Sequence, residues 1–202
     1  MIINNNNLTE EQIERLEELA INIDMVNGFV KQGALAAPSI MRVVPRQQEL
    51  LQQYIDDANK AVLFIQDTHT KDSVEFKTFG EHCVEGSGEE DVIDELIAYY
   101  TKGLNVRKNS TNFVFGTNFQ EVINKLKKLK KVVLMGCLSE VCVKNGGITL
   151  KNYFDQNNRD IEVAVAEDAI DTYDAPGHNA AEVTERAIQD MLANGLKTYG
   201  RR

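Results

Sequence analysis

The sequence predicts an α/β fold, a three-layer α/β/α domain built around a mainly parallel sheet. Short apolar, β-branched runs recur along the 202 residues and alternate with segments of helical periodicity, which is the pattern of βαβ units. Hydrophobic residues make up 43% and charged residues 26% of the chain, as in ordinary globular proteins. We expect one domain over residues 1–202, with residues 1–18 as an N-terminal extension or helix, because no shift in composition marks a second domain.

Five segments carry the strand pattern, and we expect them to form the sheet. In chain order they are LAINID (19–24), AVLFIQD (61–67), GLNVRK (103–108), KVVLMG (131–136) and IEVAVAED (161–168).

Helical periodicity fills most of the segments between the strands. It predicts helices over 45–58, where Pro45 suits the first turn, over 89–100 and over 179–193. Gly103 and Gly195 follow two of these runs and are expected as left-handed C-terminal caps. Two pairs have the spacing of a capping box that starts a helix: Thr9 with Gln12, and Thr117 with Gln120.

Charge and hydropathy limit the partners that the protein is expected to have. The formal net charge of −9 does not favour nucleic acid or an anionic membrane. The basic run KLKKLKK (125–131) is the exception, and the helical spacing of Leu126 and Leu129 favours a solvated helix face without a partner. No apolar run approaches the roughly 18 residues needed to cross a bilayer.

The N-terminal sequence and the cysteines predict a compartment. MIINNNNLTEEQIE lacks the basic start and apolar middle of a secretory signal, so we expect a cytoplasmic protein. In a reducing compartment the 3 cysteines are expected as free thiols.

Residues able to do chemistry gather at the predicted strand ends. In an open parallel sheet, ligands bind beyond the carboxyl ends of the strands, so these residues are expected to converge. They are Asp24, Asp67, Lys108, Cys142 after a short turn, and the pair Glu167 and Asp168.

Cys142 has the sequence context of a nucleophile. It follows a strand and the turn GCLSEV and begins an amphipathic run, with Ser139 as a candidate N-cap. A thiol in the first turn of a helix is expected to favour the thiolate, because the helix dipole is positive there. A buried, inert cysteine is the alternative, and it is the interpretation we give Cys137.

The segment 67–89 has the features of a metal site. It contains no convincing element, and ordered loops of this length in small α/β domains are usually functional. Asp67, His69 and His82 lie in it, and carboxylate and imidazole side chains suit zinc, iron and manganese, of which we expect zinc. Two exposed loop histidines are the alternative. The remaining histidine, His178, is expected at the start of a helix without a chemical role.

Motifs in these segments resemble those of the isochorismatase-like cysteine hydrolases, and most of all their nicotinamidase branch. In chain order the motifs are INIDMVNGF, QDTHTKDSVEF with FGEHCVEG, RKNSTNFVFGTNF and VLMGCLSEVCV, and the resemblance covers roughly residues 21–200.

The resemblance implies a catalytic triad of Asp24, Lys108 and Cys142. It implies the metal ligands Asp67, His69 and His82. It further implies an oxyanion hole formed by the backbone N–H groups of Leu138 and Cys142, with a cis peptide between Cys137 and Leu138.

The same resemblance implies a small amide as substrate, with nicotinamide first, and we expect a homo-oligomer. Phe29 and Phe113 are candidate walls for a flat aromatic ring, and core residues are the equal alternative. Three positions depart from the branch: Thr68 replaces an aromatic residue, Gly80 a proline and Val26 a glutamine. Another small amide or ureido compound therefore stays open as the substrate, as does a module that binds a metal or ligand without catalysis.

Overall fold

The structure, a computed structural model, describes residues 8–200 and is built on one parallel sheet. Its strands are β1 (Glu18–Ile23), β2 (Lys60–Asp67), β3 (Leu104–Lys108), β4 (Lys131–Cys137), β5 (Glu162–Asp171) and β6 (Lys197–Tyr199). The strand order is β3-β2-β1-β4-β5-β6, and every pair of neighbours is parallel. The predicted fold class is confirmed.

The first helix precedes β1, and the other helices lie between the strands in the chain. They are α1 (Glu10–Arg15), α2 (Asn27–Val30), α3 (Val44–Ile55), α4 (Phe76–Phe79), α5 (Ile97–Tyr100), α6 (Phe119–Lys125), α7 (Lys144–Gln156) and α8 (Ala180–Ala193). Short 3₁₀ helices span Pro38–Val43, Asp94–Leu96 and Phe113–Phe115, and a π-helical turn, Ser139–Val143, leads into α7.

Two apolar clusters, one on each face of the sheet, form the core. Successive residues of a strand point to opposite faces, and in β1 the side chains of Leu19 and Ile21 join one cluster whereas Ala20 joins the other. The first cluster includes side chains of α6, α7 and α8, and the second includes side chains of α2 and α3. The result is the predicted three-layer arrangement.

Strand β5 extends beyond the predicted end of its segment, so Glu167 and Asp168 do not terminate it. Leu134 of β4 pairs with Val165, but Gly136 pairs with Ile170, so the residues of β5 between these pairs bulge out of the ladder. The prediction was wrong because an acidic pair that interrupts an apolar run looks the same in sequence whether the strand ends there or bulges and continues. The short edge strand β6 was not predicted.

The helix predicted over 89–100 is wrong for its first half. A 3₁₀ turn, Asp94–Leu96, and α5 occupy only the second half of the range. The side chain of Glu90 instead accepts hydrogen bonds from the N–H groups of Gly86, at 2.5 Å, and Gly88, at 2.9 Å. A carboxylate that accepts hydrogen bonds from the N–H groups of its own loop holds that backbone in a non-helical conformation, so no helix begins at residue 89.

The predictions for helix ends are confirmed in part. Thr9 and Gln12 form the predicted capping box of α1, and Gly195 after α8 has a φ of +90°. Gly103 does not have a left-handed conformation; a Cβ there would lie 2.6 Å from a Val62 methyl group, so close packing explains the glycine. The box predicted at Thr117 is absent, because α6 begins one residue later with Asn118 as its cap.

The basic run 125–131 is not the predicted helix face. Helix α6 ends at the first residue of the run, and Leu126 and Leu129 are buried under the turn that leads to β4. Lys131 belongs to β4 and lies 2.9 Å from Glu162. Within residues 8–200, no helix is long and apolar enough to cross a membrane.

Candidate active site

Three neighbouring strands, β3, β2 and β1, bring the predicted site residues together at their carboxyl-terminal ends. Asp24 directly follows β1, and Asp67 and Lys108 are the last residues of β2 and β3, where they are paired in register. All three side chains are at least 99% buried. The convergence of strand ends predicted from the sequence is therefore present for Asp24, Asp67 and Lys108, but not for Glu167 and Asp168, which lie inside β5.

Lys108 links these groups to Cys142. Its ammonium lies 2.9 Å from Oδ2 of Asp24 and donates a hydrogen bond of 2.7 Å to Oδ1 of Asp67. It also donates to the sulfur of Cys142 across 3.6 Å. One buried cation thus contacts a thiol and two carboxylates.

The turn 137–142 carries Cys142 from β4 into the helix. The peptide between Cys137 and Leu138 is cis, as the resemblance implied, while the oxyanion role of the Leu138 and Cys142 N–H groups stays a prediction. Gly136 before the turn has a φ of +124°, and a Cβ there would lie 2.0 Å from the carbonyl oxygen of Ile23, so only glycine fits. Ser139 is not the helix cap, because its hydroxyl is hydrogen-bonded to the side chain of a residue in α8.

The charge state of Cys142 differs from the expectation based on its helix start. Burial raises the pKa of the thiol well above its ordinary value, more than Lys108 lowers it. Burial likewise raises the pKa of Asp24, to about 6, against the opposing charge of Lys108. Near neutral pH the pair therefore rests as a thiol beside a carboxylate, and the thiol needs a base before it can attack.

Asp67 and Lys108 both keep their charge. Burial raises the pKa of Asp67, but Lys108 and the neighbouring histidines outweigh this effect, and the pKa lies well below its ordinary value. Burial lowers the pKa of Lys108, but Asp24 and Asp67 together raise it well above the usual value. The cation therefore stays fixed between its two carboxylates.

The other oxygen of Asp67 belongs to a cluster of metal-ligand type. Its Oδ2 lies 2.9 Å from Nε2 of His69 and 3.2 Å from Nε2 of His82. Glu75 completes the cluster, and one ligand atom from each of the four residues lies within 4.8 Å of the others. The sequence analysis missed Glu75, although an acidic residue in the same loop was the available signal.

The orientation of the two histidines fits a bound cation. Nδ1 of His82 lies 2.8 Å from the carbonyl oxygen of Gly80, and Nδ1 of His69 lies 2.8 Å from Oδ1 of Asn109. These Nδ1 atoms donate, so a neutral ring keeps its lone pair on Nε2. The two Nε2 atoms face each other at 3.1 Å, an unfavourable contact that a shared cation relieves. Two imidazoles and two carboxylates suit zinc, iron or manganese.

Aromatic rings lie beside the histidines, though not all of them as predicted. The ring of Phe29 is 5.5 Å from His82, and the ring of Phe76, which the sequence analysis missed, is 5.7 Å from it. Phe113 is fully buried and packs against Phe119 at 5.2 Å, which favours the core alternative for this residue. A role in binding substrate stays a prediction for Phe29 and Phe113.

Two other residues singled out in the sequence make their contacts elsewhere. Asp168 accepts a hydrogen bond of 3.0 Å from Arg46. His178 contacts Glu140 and Tyr173 near the start of α8.

The fold and the buried cluster indicate a hydrolase that works at the edge of a parallel sheet, and comparison with known proteins agrees. The family model for the isochorismatase domain matches residues 18–190. The chain belongs to the isochorismatase family of hydrolases.

Relatives and solved structures show how far the likeness extends. A secreted isochorismatase effector of Verticillium dahliae is 32% identical over 101 residues, and the chain spans about half, 49%, of that relative's length. The pyrazinamidase/nicotinamidase of Streptococcus mutans has a TM-score of 0.76 at 19% identity, over 90% of this chain and 99% of that one. The pyrazinamidase of Pyrococcus horikoshii in complex with zinc has a TM-score of 0.69 at 21% identity, over 92% and 99%. At these identities the likeness to the two solved structures shows the fold.

Proposed function

We propose that this protein is a cysteine amidohydrolase that hydrolyses nicotinamide to nicotinic acid and ammonia through a thioester on Cys142. The observation that carries the proposal is the position of the Lys108 ammonium, 2.9 Å from Asp24 and 3.6 Å from the Cys142 sulfur. Nucleophile, proton acceptor and cation are thereby held in one buried cluster, as covalent catalysis requires.

In the proposed mechanism Asp24 is the base. Its carboxylate accepts the proton of Cys142 as the sulfur attacks the amide carbonyl, and Lys108 stabilises the negative charge of the pair. The same proton then moves to the leaving nitrogen, and ammonia departs. Asp24 next takes a proton from water as the water attacks the thioester, which releases the acid and restores the thiol.

Two further groups support the reaction. The N–H groups of Leu138 and Cys142 are proposed to hold the developing oxyanion, and loss of one such donor typically costs about 10²–10³ in rate. When a divalent ion, zinc in first place, is bound by the Asp67 cluster, it supplies a Lewis-acidic anchor that orients the heterocycle and a water molecule.

Ammonia release across a panel of small amides tests the substrate. We expect turnover of nicotinamide by the wild-type protein and none by Cys142→Ala, with Cys137→Ala as the matched control that retains activity. An active enzyme that leaves nicotinamide unchanged and hydrolyses a different amide or a ureido compound would overturn the substrate. Thr68 favours this second candidate, because it replaces the aromatic residue usual in the nicotinamidase branch.

A non-catalytic binding module is the alternative from another class. It predicts no turnover of any member of the panel and no effect of Cys142→Ala beyond lost thiol reactivity. Metal content measured on the same preparation identifies the ion.

A further inference from the structure

Asn109 directly follows Lys108 at the carboxyl end of β3 and contacts a histidine of the metal-ligand cluster. Its Oδ1 lies 2.8 Å from Nδ1 of His69. Asn109 is exposed, whereas the side chain of His69 is 0% exposed, so the asparagine extends inward from the rim of the site. Neither the proposed triad nor the proposed ligand set includes Asn109, and this contact therefore calls for a role of its own.

Two adjacent residues at the end of β3 hold the chain at the end of β2. Lys108 donates to Oδ1 of Asp67 at 2.7 Å, and the carbonyl oxygen of Lys108 accepts the N–H of Thr68 at 2.8 Å. Asn109 continues this series of contacts onto the ring of His69. The two candidate ligands of this segment, Asp67 and His69, are therefore both oriented from the strand that supplies the lysine.

The contact with Asn109 distinguishes the two nitrogen atoms of the His69 ring. A cation bound at Nε2 needs the lone pair of that atom, so a neutral ring carries its hydrogen on Nδ1, and the partner of Nδ1 must accept. Asn109 presents its amide oxygen to Nδ1. The ring of Phe76 lies 5.2 Å from that of His69 and limits its tilt, but an apolar contact does not distinguish nitrogen from carbon. Hydrogen bonds to Nδ1 therefore select the form of the ring that can bind a cation.

The two histidines of the cluster differ in what holds their Nδ1 atoms. In His82 this atom lies 2.8 Å from the carbonyl oxygen of Gly80. A backbone carbonyl only accepts, so the main chain sets the tautomer of His82. In His69 the partners are side chains: Asn109 at 2.8 Å and the hydroxyl of Ser73 at the longer distance of 3.3 Å. Substitution of a single side chain can therefore release His69 but not His82.

We propose that Asn109 is a positioning residue for the metal: it holds His69 in the tautomer and orientation in which Nε2 can bind the cation. Asn109 is not itself a ligand, and it acts through the imidazole. The inference deepens the proposed function and rests on the metal centre proposed there. Hydrogen-bond partners of metal-ligating histidines typically contribute about 10–100-fold to metal affinity.

The zinc affinity of the full-length protein, stripped of metal and titrated in competition with a chromophoric chelator, tests the role of Asn109. We expect Asn109→Ala to bind zinc about 10–100-fold more weakly than the wild type. Asn109→Asp keeps the shape of the side chain, only accepts hydrogen bonds when ionised and adds a negative charge near the cation, so its affinity should equal or exceed that of the wild type. Ser73→Ala removes the longer contact and should change the affinity less than Asn109→Ala does.

Asn112→Ala is the matched control, because it removes an asparagine of the same segment whose contacts lie elsewhere. The amide of Asn112 donates to the Thr149 hydroxyl at 2.7 Å, and its oxygen accepts the N–H of Val114 at 3.1 Å. Asn112→Ala should lower the urea midpoint of the metal-free protein and leave the zinc affinity unchanged, whereas Asn109→Ala should do the reverse. A purely structural role of Asn109 would produce neither this contrast nor the rescue by aspartate.

Three results would overturn the role of Asn109. They are a zinc affinity of Asn109→Ala within about twofold of the wild type, an affinity of Asn109→Asp as low as that of Asn109→Ala, and a wild-type protein that binds none of zinc, iron and manganese.

The hydrolysis of nicotinamide separates this inference from the proposed function. If the zinc affinities follow the expected pattern but nicotinamide is not hydrolysed, the proposed function fails and the role of Asn109 stands. If nicotinamide is hydrolysed but Asn109→Ala binds zinc as tightly as the wild type, the proposed function stands and the role of Asn109 fails.

Discussion

Lys108→Met removes the cation from the buried cluster and keeps the length of the side chain. Asp24 and Asp67 then lose an ammonium at 2.9 and 2.7 Å, in a place where neither carboxylate reaches bulk water. Removing one partner of a buried ion pair typically costs about 3–5 kcal/mol, a large part of the roughly 5–15 kcal/mol that stabilises a domain. For a protein of this length the cost corresponds to a fall in Tm of about 6–20 °C.

The stability lost in Lys108→Met should increase as the pH rises. Burial raises the pKa of Asp24 to about 6, above the value of roughly 4 in an unfolded chain. A carboxyl group of this kind contributes stability when protonated, and the contribution is lost as the pH rises through 6. Without Lys108 the folded-state pKa of Asp24 rises further, so the gap between wild type and Lys108→Met should widen from pH 5 to pH 8.

Urea unfolding of wild type and Lys108→Met at pH 5 and pH 8, in the presence of a chelator, measures the difference in the free energy of unfolding. The chelator prevents a bound ion from replacing the lost charge at Asp67. Adding Asp24→Asn to Lys108→Met removes one of the two unpaired carboxylates and should recover part of the loss. Lys125→Met is the matched control, since it breaks an exposed pair with Glu121 and should leave stability unchanged. A loss below about 1 kcal/mol at pH 8 for Lys108→Met would refute the reasoning.

Three further predictions concern the chemistry of the site. In a pH–rate profile, kcat/KM should fall about tenfold per unit below about pH 6, because only ionised Asp24 accepts the thiol proton; a midpoint near pH 4 for this acidic limb would contradict the prediction. Removal of the metal with a chelator should abolish activity, and addition of zinc, iron or manganese should restore it. By elemental analysis, His82→Asn should contain less metal than the wild type, and an unchanged metal content would argue against the site. In native protein treated with iodoacetamide, peptide mapping should find Cys142 labelled before Cys137, whose buried thiol donates to the Asp24 carbonyl at 3.2 Å; the reverse order would count against Cys142 as the nucleophile.

The sequence predicted the parts of the fold that local patterning controls. Five apolar runs predicted five of the six strands found in residues 8–200, and the periodicity over 45–58 and 179–193 matches α3 and α8. The predictions failed where tertiary contacts decide. Glu90 looks helical in sequence, yet it binds the backbone of its own loop, and Gly103 makes room for the packed side chain of Val62.

The site was predictable to a similar extent and for similar reasons. Strand ends and motif order pointed to Asp24, Lys108 and Cys142, because the carboxyl ends of parallel strands meet at one edge. Glu75 was missed because its place among the candidate metal ligands depends on the path of an irregular loop. The contacts of His178 join segments far apart in the chain, and no local pattern indicates them.

The central claim is that Cys142 forms a covalent bond with the acyl group of the substrate. Mass spectrometry of protein quenched with acid during nicotinamide turnover tests it most directly. We predict a nicotinoyl adduct on the peptide that contains Cys142 in the wild-type protein, and no adduct in Asp24→Asn, where the thiol lacks its base. Undiminished ammonia release by Cys142→Ala would contradict the claim.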